Sequence, residues 1–154
     1  MQVSSLIERA LKEAHDRWPE APVEVERQFA PGLPEIILDP DLMERVFTNL
    51  ALNAYEAMGP GGGKLRVAAV PSSGGKHGVE ITFQDTGPGI PAELREQIFN
   101  PFFTTKETGV GLGLSIVSKI VDDHHGWIRV TSEPGRGARF QVFLPAGGLA
   151  EAGG

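Results

Sequence analysis

The chain has 154 residues, of which 40% are hydrophobic, and this is enough for one folded domain with a buried core. A net charge of −6 at pH 7 and the absence of any Lys/Arg run argue against nucleic acid as the main partner. No apolar run approaches the length of a membrane span, the first ten residues do not resemble a signal peptide, and the lack of cysteine excludes disulfides and thiolate metal sites. We therefore expect a soluble, cytoplasmic domain without membrane contact.

The first elements are a helix and two short strands. Apolar residues recur with helical spacing over residues 2–18, and Ser4 and Ser5 are candidates to cap the start of this helix. Residues 23–29 alternate apolar and polar side chains, which predicts a half-buried strand. Residues 35–38, E-I-I-L, predict a second short strand.

A longer helix is predicted from Asp39 onward, with Pro40 in its first turn. Its apolar positions repeat with a helical period and form one stripe: Leu42, Val46, Leu50 and Ala54. Asn49 and Asn53 are four residues apart and therefore share a face beside this stripe. Such a pair can simply face solvent, or one amide oxygen can bind Mg²⁺, which prefers oxygen ligands.

Two hairpins follow from the alternation pattern. The glycines of residues 59–63 end the long helix, and strands are predicted at 65–70 and 79–85, then at 127–132 and 138–144. The C-terminal tail, A-G-G-L-A-E-A-G-G, consists mostly of glycine and alanine, and we expect it to be mobile.

Glycine-rich segments flank a Phe/Thr/Lys segment between the two hairpins. D-T-G-P-G-I at 85–90 is followed by F-N-P-F-F-T-T-K at 99–106 and by G-V-G-L-G-L at 109–114. The last cluster runs into an apolar helix at 112–121, so its amides would lie at a helix N-terminus, where an anion is favoured. Glycines also allow close approach of the backbone to phosphate oxygens, although a single such cluster is more often a simple turn.

Five segments in order resemble the N, G1, F, G2 and G3 boxes of the catalytic ATP-binding domain of bacterial sensor histidine kinases. Their residues are most similar to those of the nitrogen-regulator type. They are N-L-A-L-N-A (49–54), D-T-G-P-G-I, F-N-P-F-F-T-T-K, G-V-G-L-G-L-S-I-V (109–117) and E-P-G-R-G-A-R-F (133–140). The resemblance implies a Bergerat-type α/β sandwich at 21–146. In this fold about three helices cover one face of a mixed, largely antiparallel sheet of about five strands, and a mobile lid closes over ATP. Residues 1–20 would form a helix leading from a dimerisation hairpin, and 147–154 a flexible tail.

The resemblance also implies roles for individual residues. Asp85 resembles the aspartate that accepts a hydrogen bond from the adenine amino group, and Asn53 resembles the ligand of Mg²⁺. Asn49 resembles the asparagine that contacts phosphate or Mg²⁺-bound water, and Lys106 resembles a lid cation that reaches the terminal phosphates; these two are the candidate catalytic residues. The other candidate ATP-binding residues are Gly87, Gly89, Ile90, Phe99, Thr104, Thr105, Gly109, Val110, Gly111, Leu112, Gly113 and Leu114. Phe102 and Phe103 resemble, with Phe99, the hinge of the lid.

Three positions depart from the family pattern. Val110 replaces the usual Thr or Ser, and Glu56 stands at a position that is basic in many related kinases. Asn49 stands where the ATP-hydrolysing relatives have a glutamate that acts as general base. Without that base, the site suits phosphoryl transfer better than hydrolysis.

The chain also lacks the acceptor histidine that this family phosphorylates. None of His15, His77, His124 and His125 lies in an H-E-x-x-N-P-like motif, and His124 and His125 resemble a structural turn. We therefore expect an excised catalytic domain, or a kinase whose histidine-bearing dimerisation hairpin lies on another chain, with a response regulator as a further partner and the isolated domain as a monomer. A protein-serine kinase of the anti-sigma type and an ATP-sensing module without catalysis are the alternatives.

Overall fold

A computed structural model describes residues 3–34, 36–59, 61–72, 77–87, 110–132 and 137–146. Within this part, the chain forms three helices and five strands. They are α1 (Val3–Arg17), β1 (Val23–Phe29), α2 (Pro40–Met58), β2 (Gly63–Pro71), β3 (Gly78–Asp85), α3 (Val110–Asp123), β4 (Trp127–Ser132) and β5 (Ala138–Pro145).

The five strands form one mixed sheet in the order β1-β2-β3-β5-β4. β1 runs parallel to β2, whereas the pairs β2–β3, β3–β5 and β4–β5 are antiparallel. The sheet is therefore largely antiparallel, and both predicted hairpins are confirmed.

One face of the sheet carries the hydrophobic core. Phe83 of β3 lies between Val67 of β2 and Phe140 of β5 in the strand register, and all three side chains are buried. The ring of Phe47 from α2 stacks on Phe83 with 6.1 Å between the ring centroids, so the helix packs directly on this row. Because side chains alternate across a strand, neighbours such as Arg139 point to the other face, where they are exposed. The predicted two-layer architecture is confirmed.

Helix α1 belongs to the same core. Its buried side chains, Leu6, Ile7, Ala10, Leu11 and Ala14, lie on the face that packs against α2. Burial of this face removes apolar surface from water, which is the main favourable contribution to folding. The helix is thus an integral part of the packed structure. Within the described residues, no helix is both long enough and apolar enough to cross a lipid bilayer.

Helix α2 begins as the sequence predicts. The side chain of Asp39 accepts a hydrogen bond from the backbone N–H of Leu42 at 3.1 Å, and Pro40 occupies the first turn. The helix ends at Gly59, whose φ of 70° favours a residue without a Cβ. Leu42, expected on the buried stripe, is instead 38% exposed, because Met43 is the residue of this first turn that enters the core.

Two expectations near the N-terminus are wrong. α1 already includes Ser4 and Ser5, so neither serine precedes its first turn as a cap. Residues 36–38 do not form a strand. β1 pairs only with β2 and lies at an edge of the sheet, and the segment after Pro34 packs Ile36 and Leu38 against the core without joining that edge. Short apolar runs satisfy burial without strand pairing, which is why the pattern was misleading.

Candidate functional site

The candidate site is built around Asp85, a buried polar residue at the end of β3. Its side chain is 4% exposed, and its carboxylate oxygen Oδ1 accepts hydrogen bonds from the backbone N–H groups of Gly87 at 2.8 Å and Ala138 at 3.3 Å. Burial raises the pKa of the Asp85 carboxyl, and the two backbone N–H donors oppose that rise. A buried acceptor held in one orientation is suited to recognise a donor group of a ligand.

Two glycines make this arrangement possible. A Cβ on Gly87 would lie 3.0 Å from the carbonyl oxygen of Ala57 on α2 and 3.1 Å from Asp85 Oδ1. Gly137 has a φ of 87°, and a Cβ there would collide with the carbonyl oxygen of Asp85. The backbone therefore approaches Asp85 closely from two directions; a side chain is excluded at Gly137 and would be tightly crowded at Gly87.

Gly137 and the N–H of Ala138 were not among the predicted site residues. Both lie in the segment E-P-G-R-G-A-R-F, and the glycine at its fifth position was the available signal. The periodicity of a single sequence does not reveal that this turn folds back onto residue 85, because the contact spans 53 positions of the chain.

The turn after Asp85 is fixed to two other elements. The hydroxyl oxygen of Thr86 accepts a hydrogen bond from the backbone N–H of Lys64 at 3.0 Å, and its hydroxyl lies 3.8 Å from the sulfur of Met58. Lys64 belongs to β2, and Met58 is the last residue of α2. Asp85 is thereby positioned against the C-terminal end of the helix that carries both candidate asparagines.

Asn53 and Glu56 lie on α2 one helical turn apart. The amide nitrogen Nδ2 of Asn53 and the carboxylate oxygen Oε2 of Glu56 are buried, and neither has a hydrogen-bond partner among the residues that the structure describes. Burial raises the pKa of the Glu56 carboxyl, and the positive charge of Arg17 opposes part of the rise. Unpaired buried polar atoms are rare in folded proteins and are stabilised when a ligand supplies their partners.

The donor set at this end of α2 fits a magnesium-bound nucleotide. An amide and a carboxylate offer oxygen atoms, which Mg²⁺ prefers, and the unpaired Nδ2 of Asn53 offers a donor to a phosphate oxygen. Asn49, one turn before Asn53, is half-buried and lines a groove between α1 and α2.

The structure describes only part of the predicted glycine-rich site. Val110, Gly111, Leu112 and Gly113 form the first turn of α3, where backbone N–H groups have no partner within the helix. The side chain of Leu114 is buried in the core at 3% exposure. The other candidates lie outside the described residues: Gly89, Ile90, Phe99, Thr104, Thr105, Lys106 and Gly109, together with Phe102, Phe103 and the proposed lid.

His124 is a structural residue. Its Nε2 accepts a hydrogen bond from the backbone N–H of Asp39 at 3.0 Å, and its Nδ1 lies 2.8 Å from the carbonyl oxygen of Ile120. Because a carbonyl only accepts and an N–H only donates, the ring carries its proton on Nδ1. Both nitrogens are used to join the end of α3 to the start of α2, which agrees with the structural turn predicted there.

Comparison with known proteins decides the family. The sequence profile of the "Histidine kinase-, DNA gyrase B-, and HSP90-like ATPase" family matches residues 38–148. This chain belongs to that family. The match includes α2, Asp85 and the turn at Gly137, so the family region contains the whole described site.

The related sequences and structures are sensor histidine kinases. The sensor histidine kinase ZraS of Escherichia coli O157:H7 is 49% identical over 113 residues, which are 73% of this chain and 24% of ZraS. The sensory histidine kinase/phosphatase NtrB of Klebsiella oxytoca is 37% identical over 150 residues, which are 93% of this chain and 42% of NtrB. The chain therefore spans less than half the length of these two relatives.

Solved structures of the family agree with the fold. The mycobacterial sensor histidine kinase MprB superposes with a TM-score of 0.81 at 29% identity, covering 96% of this chain and 97% of that one. The catalytic domain of the histidine kinase ThkA gives a TM-score of 0.81 at 31% identity, covering 94% and 93%. Full-length ShkA, solved with AMPPNP, gives a TM-score of 0.80 at 30% identity over 95% of this chain and 31% of that chain. The chain has the fold of a histidine kinase-type ATPase domain, as its sequence motifs predicted.

Proposed function

We propose that this domain binds Mg²⁺·ATP and transfers the γ-phosphoryl group to a histidine on a helical dimerisation hairpin, within a two-component system that includes a response regulator. The observation that carries the proposal is the buried carboxylate of Asp85, held by Gly87 and Ala138 in a domain of the histidine kinase family.

Asp85 would recognise the base. Two backbone N–H groups already occupy Oδ1, which fixes the plane of the carboxylate and directs it toward one edge of the ligand. A carboxylate accepts a hydrogen bond from the exocyclic amino group of adenine, whereas guanine presents a carbonyl oxygen at that edge. The site would therefore select ATP over GTP.

Asn53, Asn49 and the first turn of α3 would bind the phosphates. Bound Mg²⁺ neutralises phosphate charge during phosphoryl transfer. Asn53 would hold the ion through its amide oxygen. Asn49 would orient the terminal phosphate or a water molecule bound to Mg²⁺. The unpaired N–H groups at Val110–Gly113 would donate to phosphate oxygens at the positive end of the helix dipole. Lys106 is the proposed cation of the lid.

Transfer would depend on alignment more than on acid–base chemistry. A catalytic site that positions the acceptor in line with the γ-phosphate gains most of its rate from proximity and charge stabilisation. Asn49 carries a neutral amide that cannot serve as general base in place of the glutamate of the ATP-hydrolysing relatives, so water would react slowly. The domain would hold ATP until an acceptor histidine arrives.

The proposal is tested by incubating the protein with γ-labelled ATP and a panel of isolated helical hairpins that each carry a candidate acceptor histidine. Acid-labile, base-stable label on a hairpin, with little phosphate release and no label on this chain, is the expected result. Acid-stable label on serine would indicate a protein-serine kinase instead. ATP binding without any label would indicate a sensing module, and rapid hydrolysis in the absence of a hairpin would contradict the role proposed for Asn49.

A further inference from the structure

Two arginines on neighbouring helices line one groove. Arg17, at the end of α1, and Arg45, in the second turn of α2, both line a groove of about 320 Å³ between these helices. Both side chains are exposed, and across the described ranges neither makes an ion pair or a hydrogen bond. Three other arginines each contact a glutamate: Arg9, Arg27 and Arg66. The groove therefore presents two arginines that make no hydrogen bond and no close ion pair within the described ranges.

The groove also carries negative charge. Glu13, Asp41 and Glu44 line it together with the two arginines, and Glu44 already contacts Arg9. Three carboxylates interspersed with two arginines make a mixed-charge surface, which matches a partner with separate charges better than the uniform negative charge of a free polyphosphate. Mixed charges on a long open surface are typical of protein–protein recognition, where each charge meets an opposite charge on the partner.

The groove reaches the candidate phosphate site. Asn49 lines it, and the same helix presents Asn53 one turn later and Glu56 nearly one further turn along. The charge of Arg17 acts on the Glu56 carboxyl, so the end of α1 lies close enough to α2 to influence this stripe. A protein segment bound in the groove would thus lie beside the residues proposed to hold the terminal phosphate.

We propose that this α1–α2 groove is the docking surface for the protein segment that carries the acceptor histidine, and that Arg17 and Arg45 contact acidic side chains of that segment. The inference rests on the proposed phosphotransfer function. Docking here holds the acceptor next to Asn49 and converts an encounter between two proteins into an aligned transfer. α1 then has two roles, because one face packs in the core and its last turn contacts the partner.

The test uses charge reversal with a matched control. Arg17→Glu and Arg45→Glu are compared with Arg139→Glu, since Arg139 is also exposed and forms no ion pair with another described residue but lies on the outer face of the sheet. Transfer is measured at saturating Mg²⁺·ATP while the concentration of a hairpin that accepts label from the parent protein is varied. Each groove variant should raise KM for the hairpin about tenfold and leave kcat and the Kd for ATP unchanged, and added salt should reduce the difference. Arg139→Glu should match the parent protein.

Each other outcome overturns the inference. Equal KM values for all three variants and the parent would exclude the groove as a docking surface while leaving the transfer function intact. A parallel loss of ATP affinity would mean that the arginines contact the nucleotide. If the parent protein binds ATP but labels no hairpin, the transfer function itself fails and the docking surface with it. Arg45→Ala, which removes charge without introducing repulsion, checks that any rise in KM does not come from misfolding.

Discussion

The carboxylate of Asp85 accepts a hydrogen bond at 3.3 Å from the backbone N–H of Ala138, 53 residues further along the chain. The bond joins the end of β3 to the start of β5, the neighbouring strand in the sheet. It holds the buried carboxylate at the end of β3 in a fixed orientation. A second backbone N–H, from Gly87, donates to the same oxygen. The nucleotide selectivity that we propose and the local stability would therefore depend on the same few atoms.

Asp85→Asn should weaken ATP binding about ten- to a hundredfold and leave the fold intact. A hydrogen bond to a charged acceptor contributes about 1.5–3 kcal/mol, whereas the asparagine oxygen still accepts the two backbone bonds. Calorimetry with ATP and GTP measures the effect. GTP binding as strong as ATP binding in the parent protein would contradict an adenine contact at this residue.

Gly137→Ala should destabilise the protein by about 2 kcal/mol or more. An L-residue in the left-handed region costs about 1–2 kcal/mol, and the added Cβ would also collide with the carbonyl oxygen of Asp85. The matched control is Gly61→Ala, where a Cβ would have no neighbour within 4 Å and the change should stay within about 0.5 kcal/mol. Urea unfolding compares the two, and equal effects would show that the Gly137 turn tolerates a side chain.

Asn53→Ala should lower the Mg²⁺-dependent affinity for ATP at least tenfold without loss of stability. The proposed oxygen ligand is lost, whereas the amide nitrogen that is removed is buried and makes no hydrogen bond within the described part of the chain, so its removal should not cost stability. Calorimetry in the presence of Mg²⁺ and of EDTA separates the metal contribution. The same loss of affinity in EDTA would show that Asn53 does not act through the metal.

Glu56→Gln should make the unfolding free energy less dependent on pH. Burial raises the pKa of this carboxyl in the folded state, so its favourable contribution is complete below the unfolded pKa and is lost as the pH rises through the folded pKa. The glutamine variant should therefore gain most, relative to the parent, at pH 7–8 and least at pH 4. Urea unfolding across this range measures the difference, and a gain that grows toward low pH would reverse the assignment.

Ile7→Ala should cost about 2–5 kcal/mol of stability, the usual range for truncation of a fully buried aliphatic side chain. Ser5→Ala on the exposed side of α1 is the control and should change little. Thermal and urea unfolding test both variants. A small effect of Ile7→Ala would mean that α1 is only a loosely attached leader to the proposed domain at 21–146.

The local pattern of the sequence determined most of the fold. Alternation in β1 and in both hairpins, the cap at Asp39–Pro40 and the glycine end of α2 each depend on neighbouring residues, so they can be recognised without the tertiary structure. Where local patterns were weak they misled, as at residues 36–38, because a short apolar run is buried equally well with or without strand pairing.

The motifs in their order also determined the family and named Asp85, Gly87, Asn49 and Asn53 as candidates. Only the tertiary structure decided how these residues are supported. The contact of Ala138 with Asp85, the approach of Arg17 to Glu56 and the groove beside Asn49 all join segments that are distant in the chain. Such contacts arise from the packing of whole elements against each other, which no periodicity within a single segment records.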